Sequence, residues 1–241
     1  MFAQVQTAVS LIYPPRCLTC GDLVEAGGGL CGPCWRETPF ITGTVCASCG
    51  VPLPGEDDGH RSDCDDCLAV PRPWDAGRAA LVYSGNARRL VLALKHGDRS
   101  DIAAPAARWM AQAGAPLLQG TPLIAPVPLH WTRLIRRRFN QSALLAQALG
   151  RLTGLEACPD LLVRRCRTPV LDGKSREARS RTMADTLAPH PRRAGRARGR
   201  GVLLVDDVMT SGATLAAAAL ACRKAGAAEV RVLVLARVTK D

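Results

Sequence analysis

The chain has 241 residues, 47% of them apolar and 22% charged, which is ample for a packed core in one large domain or in a medium domain with a small companion. No apolar run approaches the roughly 20 residues of a membrane span, so membrane insertion is excluded from the expectations. The net charge of +11 is unevenly divided: residues 1–75 hold four Arg against ten acids, a net −6, while residues 76–241 hold 28 basic and 11 acidic residues, a net +17. Attraction to phosphates therefore belongs to the second part.

Residues 1–15 carry Phe2, Val5, Val9 and Ile12 at helical spacing and predict a short amphipathic helix. They lack a basic leader and a cleavage site, so a reducing, cytoplasmic location is expected and disulfides are not. Eight of the eleven cysteines follow in four CxxC pairs: Cys17 and Cys20, Cys31 and Cys34, Cys46 and Cys49, Cys64 and Cys67. Each pair forms a knuckle that holds two thiolates on one tetrahedral ion, so four knuckles supply two four-cysteine zinc sites. An iron–sulfur cluster and redox-active dithiols are the alternatives to zinc. Sequential pairing gives two short ribbons in tandem, supported by Gly21 and Gly50 where a left-handed residue is needed after a knuckle. Cross-braced pairing is the alternative. Gly27, Gly29 and Gly32 fit GxGxxG but follow no strand, so no dinucleotide is expected there.

Pro71, Pro73 and the acidic-to-basic switch near Asp75 divide the chain into residues 1–72, a metal-held module, and residues 73–241, a larger domain. Within the latter, residues 79–83 predict a strand, 86–95 a helix ended by Gly97, and 102–113 a second helix. Residues 123–127 predict a core strand. Residues 131–152 have a helical pattern broken near Asn140, and 161–163 suit a short strand. Gly173-Lys174-Ser175 ends like a P-loop, but Thr168 stands where its first glycine belongs. Residues 191–200, with five arginines among Ala and Gly, read as a mobile basic loop. Residues 202–205 predict a buried strand, 213–225 an Ala-rich helix closed by Gly226, and 230–235 a final strand. Strands alternate with helices, so the class is α/β with a mainly parallel sheet. Cys158, Cys166 and Cys222 are read as small buried apolar residues.

Residues 202–215 read Val-Leu-Leu-Val-Asp-Asp-Val-Met-Thr-Ser-Gly-Ala-Thr-Leu: strand, two acids, a hydroxyl-rich glycine turn and a helix start. Thr210, Ser211, Gly212, Ala213 and Thr214 can aim backbone N–H groups and three hydroxyls at one anion, aided by the helix dipole. Asp206 and Asp207 would repel that anion, so they suit ribose hydroxyls or a hydrated magnesium ion. A phosphorylated ribose satisfies both requirements. A second cluster, Arg133, Arg136, Arg137, Arg138, Phe139, Asn140 and Gln141 after the strand end at 125–130, suits pyrophosphate or nucleic-acid phosphates.

The 205–214 segment resembles the ribose-phosphate motif of type I phosphoribosyltransferases. Nearly the whole chain resembles the ComF family, competence-associated phosphoribosyltransferase-like proteins with an N-terminal double zinc ribbon. The carriers are the four CxxC pairs, Leu-Lys-His-Gly-Asp at 94–98, Pro-Val-Pro-Leu-His at 126–130, Arg-Phe-Asn-Gln at 138–141, and the 205–214 motif. The resemblance implies a type I phosphoribosyltransferase-like parallel sheet behind a double zinc ribbon, with structural zinc on the eight cysteines. It further implies magnesium and phosphoribosyl pyrophosphate at Asp206, Asp207 and residues 210–214, the two acids being the catalytic candidates. Lys95, Arg137, Arg138, Asn140 and Gln141 are the candidates for pyrophosphate or DNA phosphate. DNA uptake is the implied setting, with single-stranded DNA and a helicase of the uptake machinery as expected partners. The alternative is a non-catalytic single-stranded-DNA-binding competence protein that keeps the fold as a scaffold. Arg138 stands where the family has Gly, and Leu171 and Thr182 where it commonly has Gln and Asn. Thr210 replaces the Asp with which 6-oxopurine salvage enzymes assist proton transfer, so that activity is not expected.

Overall fold

The computed structural model describes residues 14–24, 29–55, 59–96, 99–120, 122–129, 139–164 and 186–239. The helix expected around Phe2 to Ile12, the arginines at 133–138, and Cys166, Leu171 and Thr182 lie outside them. Four strands, β1 (Ala76–Val82), β2 (Leu123–Pro126), β5 (Gly201–Met209) and β6 (Glu229–Arg237), form a parallel sheet in the order β1-β6-β5-β2. The alternation of the last strand explains its place: Val230, Val232 and Val234 enter one core layer, while Leu233 and Leu235 enter the other.

The first layer is covered by α6 (Ala213–Lys224), whose buried Ala217, Ala218, Ala219 and Ala221 suit a close approach to Val202 and Leu204 of β5. The opposite layer packs α3 (Gly85–His96), α4 (Ala103–Ala113) and α5 (Gln141–Thr153) against Leu203 and Val205. The break near Asn140 is a helix start: Asn140 is the N-cap of α5, and its side chain accepts from the Ser142 N–H. Two short strands, β3 (Leu162–Arg164) and β4 (Leu187–Pro189), pair antiparallel outside the main sheet.

The run expected to be a mobile basic loop is instead tied down. It contains a single 3-10 turn at Ala194–Ala197. Arg193 pairs with Asp160 at 2.9 Å, and Glu156 binds both Arg196 and Arg200. Counting its arginines alone omitted the two acids that a separate segment brings to them.

The cysteine module closes the exposed edge of β1. Ile41 N–H donates to Ala80 at 2.9 Å, the Val82 N–H to Pro39 at 2.9 Å, and the Gly77 N–H to Ala47 at 2.9 Å. An edge strand that would otherwise offer unpaired donors is thus satisfied within the chain. Glycine makes this approach possible. A Cβ at Gly77 would lie 2.3 Å from the Ser48 carbonyl oxygen, and one at Gly50 would lie 2.6 Å from the Ala79 backbone nitrogen. Trp35, Phe40 and Trp109 add an aromatic contact, with centroids 4.3 to 6.4 Å apart, between the module and α4. Gly77→Ala is therefore expected to destabilise the chain by roughly 2 kcal/mol from overpacking against backbone that has no room to yield. Equilibrium denaturation checks this, and an unchanged midpoint would mean that the module does not press on β1.

Candidate functional site

The cysteines form two groups, Cys17, Cys20, Cys31 and Cys34, and Cys46, Cys49, Cys64 and Cys67, with all four sulfurs of each within 4.8 Å of one another. Pairing is sequential. In each group the first knuckle closes a turn on a left-handed glycine, Gly21 at φ 83° or Gly50 at φ 70°. The second knuckle sits on a one-turn helix, α1 (Gly32–Arg36) or α2 (Asp65–Ala69), with Cys31 or Cys64 at its N-cap. A tetrahedral zinc with bonds of about 2.3 Å requires sulfurs about 3.8 Å apart. The Cys20–Cys31 pair at 3.6 Å and the Cys49–Cys64 pair at 3.7 Å meet that requirement, so both groups fit zinc.

Their surroundings differ. Cys20 is exposed, whereas Cys46 and Cys49 are fully buried in the same core layer as Met209, Leu215 and Val234. A hydrogen bond from Cys49 draws the Cys46 thiol down to about 5. Cys17 falls to about 6, its burial being outweighed by backbone N–H donors from Cys20 and Cys31. The neighbouring thiols, Cys49 beside Cys46 and Cys20 beside Cys17, are pushed up in turn.

At the carboxyl end of β5 the chain turns through Thr210, Ser211 and Gly212 into α6. Gly212 is left-handed, with φ 80°, and caps the helix without a side-chain hydrogen bond. A Cβ there would meet Trp74 Cη2 at 3.2 Å and Arg72 Nη1 at 3.3 Å, so both backbone sign and space demand glycine. Thr210, Ser211 and Ala213 are exposed, and Thr214 is half-buried.

Two arginines hold this turn from behind. Arg237, buried at the end of β6, donates through Nη1 to the carbonyls of Met209 at 3.2 Å and Thr210 at 2.6 Å. Arg72 donates through Nη1 to the Ser211 carbonyl at 2.9 Å and through Nε to Cys67 Sγ at 3.3 Å, with its guanidinium 5.7 Å from the Trp74 ring centroid. In a planar trans peptide the C=O and N–H point opposite ways. Fixing the carbonyls of residues 209–211 toward the arginines turns the N–H groups of 210–212 away from them. That is the orientation an anion requires.

The acids lie beside this turn. Asp206 Oδ1 accepts from Ser142 Oγ at 2.7 Å and from the Asp207 N–H at 2.9 Å. Burial first, and the neighbouring Asp207 charge second, raise the Asp206 carboxyl to about 7. Asp207 pairs with Lys95 of α3 at 3.2 Å. Gln141 Nε2 donates to the Lys95 carbonyl at 3.4 Å, and Asn140 Nδ2 to the Val127 carbonyl at 3.2 Å.

Of the residues expected from sequence, Asp206, Asp207, residues 210–214 and Lys95 meet at one end of the sheet, the usual ligand side of an open α/β fold. Asn140 and Gln141 adjoin them with their amides bonded inward; Arg137 and Arg138 lie outside the described residues. Three participants escaped the sequence reading. Ser142 stands at the start of a helix, Arg72 sits between Pro71 and Pro73 in an acidic module, and Arg237 ends an apolar strand. Only the last two carry a signal: a cation where its surroundings disfavour one.

This architecture is that of a phosphoribosyltransferase-type domain joined to a double zinc ribbon. Residues 143–241 match the phosphoribosyl transferase domain family and residues 8–68 the double zinc ribbon domain family. Over 234 residues, 94% of this chain and 99% of the relative, it is 32% identical to the DNA utilization protein YhgH of Salmonella typhi. The Escherichia coli K12 protein of that name is 31% identical over 233 residues, with the same coverage. Competence protein F of Haemophilus influenzae is 29% identical over 236 residues, 92% of this chain and 96% of the relative. The chain belongs to this ComF family. A looser likeness, TM-score 0.41 at 20% identity over 59% of this chain and 30% of the other, is to the glutamine phosphoribosylpyrophosphate amidotransferase from B. subtilis.

The raised Asp206 carboxyl has a measurable consequence. Between its ordinary value near 3.8 and about 7 the folded chain holds a proton that the unfolded chain has lost. Stability from this group is therefore greatest in acid and falls as pH rises through that window. Asp206→Asn keeps an oxygen for Ser142 and removes the titration. The variant should gain stability relative to the parent as pH rises toward about 8. Thermal melts across the range check this, and parallel pH profiles would contradict it.

Proposed function

We propose that the β5–α6 junction binds phosphoribosyl pyrophosphate with magnesium, and that the protein is a phosphoribosyltransferase-type enzyme serving the use of incoming DNA. The observation that carries this reading is the turn at 210–212, with its carbonyls anchored behind and its N–H groups forward at an open helix N-terminus, next to two acids. The 5-phosphate would lie on residues 210–214, and the ribose hydroxyls against Asp206 and Asp207. Lys95, held by Asp207, stands ready for the pyrophosphate side. Magnesium, when bound, neutralises charge on the departing pyrophosphate. The chain's own part is positioning: the turn fixes the phosphate, and the acids fix the sugar against which an acceptor approaches. Thr210 provides a hydroxyl and no proton-accepting carboxylate, which speaks against 6-oxopurine salvage.

The DNA setting is supported by the relatives named for DNA utilization and competence. The +17 charge of residues 76–241 supports a second reading, in which the same domain holds single-stranded DNA along its arginines. The ribbons' exposed Leu23, Trp35, Leu68 and Val70 offer apolar contacts to a protein partner, for which a helicase of the uptake machinery is the candidate. Two thiolate-rich sites fit a reducing cytoplasm.

Calorimetry with phosphoribosyl pyrophosphate and magnesium should show binding by the parent protein and about ten-fold weaker binding by Asp207→Asn, which loses a charged acceptor. No binding by the parent protein overturns the enzymatic reading. For DNA, affinity for a single-stranded oligonucleotide should fall steeply as salt rises, and no affinity at low salt removes the second reading.

A further inference from the structure

The second cysteine group and the phosphate turn are separated by 139 residues in sequence at the Arg72–Ser211 contact, yet a single side chain touches both. Arg72 spans from Cys67 Sγ to the Ser211 carbonyl, packed on Trp74, whose indole N–H donates to the Ser48 carbonyl between Cys46 and Cys49 at 2.6 Å. Arg237 holds the neighbouring Met209 and Thr210 carbonyls. The Arg72 guanidinium is half-buried, and a cation partly withdrawn from water is stabilised by a partner of opposite sign. Four thiolates around one divalent zinc carry a net −2 and supply it.

We propose that Arg72 is a positioning residue that makes the second cysteine group, Cys46, Cys49, Cys64 and Cys67, a working part of the sugar-phosphate site. This rests on the reading of the β5–α6 junction as that site. Zinc bound by the four thiolates would hold the Arg72 guanidinium in place, and Arg72, beside Arg237 on the Met209 and Thr210 carbonyls, holds the Ser211 carbonyl so that the turn presents its N–H groups to phosphate. The first group, Cys17, Cys20, Cys31 and Cys34, lies on the side of the module that meets α4 through Trp35 and Trp109, and has no such link among the described residues. Of two otherwise similar zinc ribbons, one is thereby coupled to the ligand. The coupling must be reciprocal: if the zinc-held Arg72 favours the bound form of the turn, bound ligand must retain the zinc.

The test uses the full-length, zinc-loaded protein with phosphoribosyl pyrophosphate and magnesium as the probe. Zinc release to a chromogenic chelator is followed with and without the probe, and probe affinity is measured by calorimetry on the parent, Arg72→Ala and Arg72→Lys. The expected result is that the probe slows release of one of the two zinc equivalents by about five-fold or more. Arg72→Ala should keep both zincs, bind the probe about ten-fold more weakly, and lose the effect of the probe on zinc release. Arg72→Lys keeps the charge but not the fork that spans sulfur and carbonyl, so it should not restore parental affinity. Binding by the parent together with zinc release indifferent to the probe, or with undiminished affinity in Arg72→Ala or Arg72→Lys, overturns the coupling and leaves the sugar-phosphate reading standing. Absence of binding by the parent overturns both. The release measurement on the parent decides the matter even if the variants fail to fold.

Discussion

The close backbone approach of the second ribbon to β1 is the constraint on which the other contacts depend. It requires two residues without side chains, Gly50 and Gly77, because any Cβ at either position would overlap backbone of the opposing segment. Once the ribbon is seated there, Cys46, Cys49 and Cys67 enter the same core layer as β5, β6 and the start of α6. Trp74 and Arg72 are carried to the foot of the phosphate turn. The cysteine module completes the neighbour's sheet edge and backs its loop.

The same contact explains how an anion site is built beside two carboxylates. A turn with free conformational choice would satisfy its own carbonyls with solvent and lose N–H alignment. Arginine donors on Met209, Thr210 and Ser211 remove that choice, and Gly212 supplies the left-handed step that starts α6 directly afterwards. The acids are restrained in turn. Ser142 and the Asp207 N–H hold Asp206, and Lys95 holds the charge of Asp207, while burial and that neighbouring charge keep Asp206 protonated up to about 7.

Much of this was legible in the residues. CxxC spacing gave the two thiolate groups, and the left-handed Gly21 and Gly50 favoured the sequential pairing that is found. Period-two alternation in β6 and the Ala-rich run of α6 announced a buried parallel strand beside a closely packed helix. The motif at 205–214 located the turn because its chemistry is local: strand, acids, glycine and helix start are contiguous. What stayed hidden depends on contacts between distant segments. The restraint of residues 191–200 by Glu156 and Asp160 has no sequence signature, and neither does the arrival of Ser142 at Asp206, since α5 and β5 are distant in sequence and are brought together only by folding. Arg72 and Arg237 were visible only as cations in unfavourable company. Their role required knowing which carbonyls would face them.

The most direct test of the account is a crystal structure of the zinc-loaded protein grown with phosphoribosyl pyrophosphate and magnesium. Zinc is expected in both cysteine groups, with the 5-phosphate within hydrogen-bond reach of the backbone N–H groups in the 210–214 turn and Arg72 still joining Cys67 to the Ser211 carbonyl. A ligand seated elsewhere on the basic surface, with the 210–214 turn empty, would contradict it.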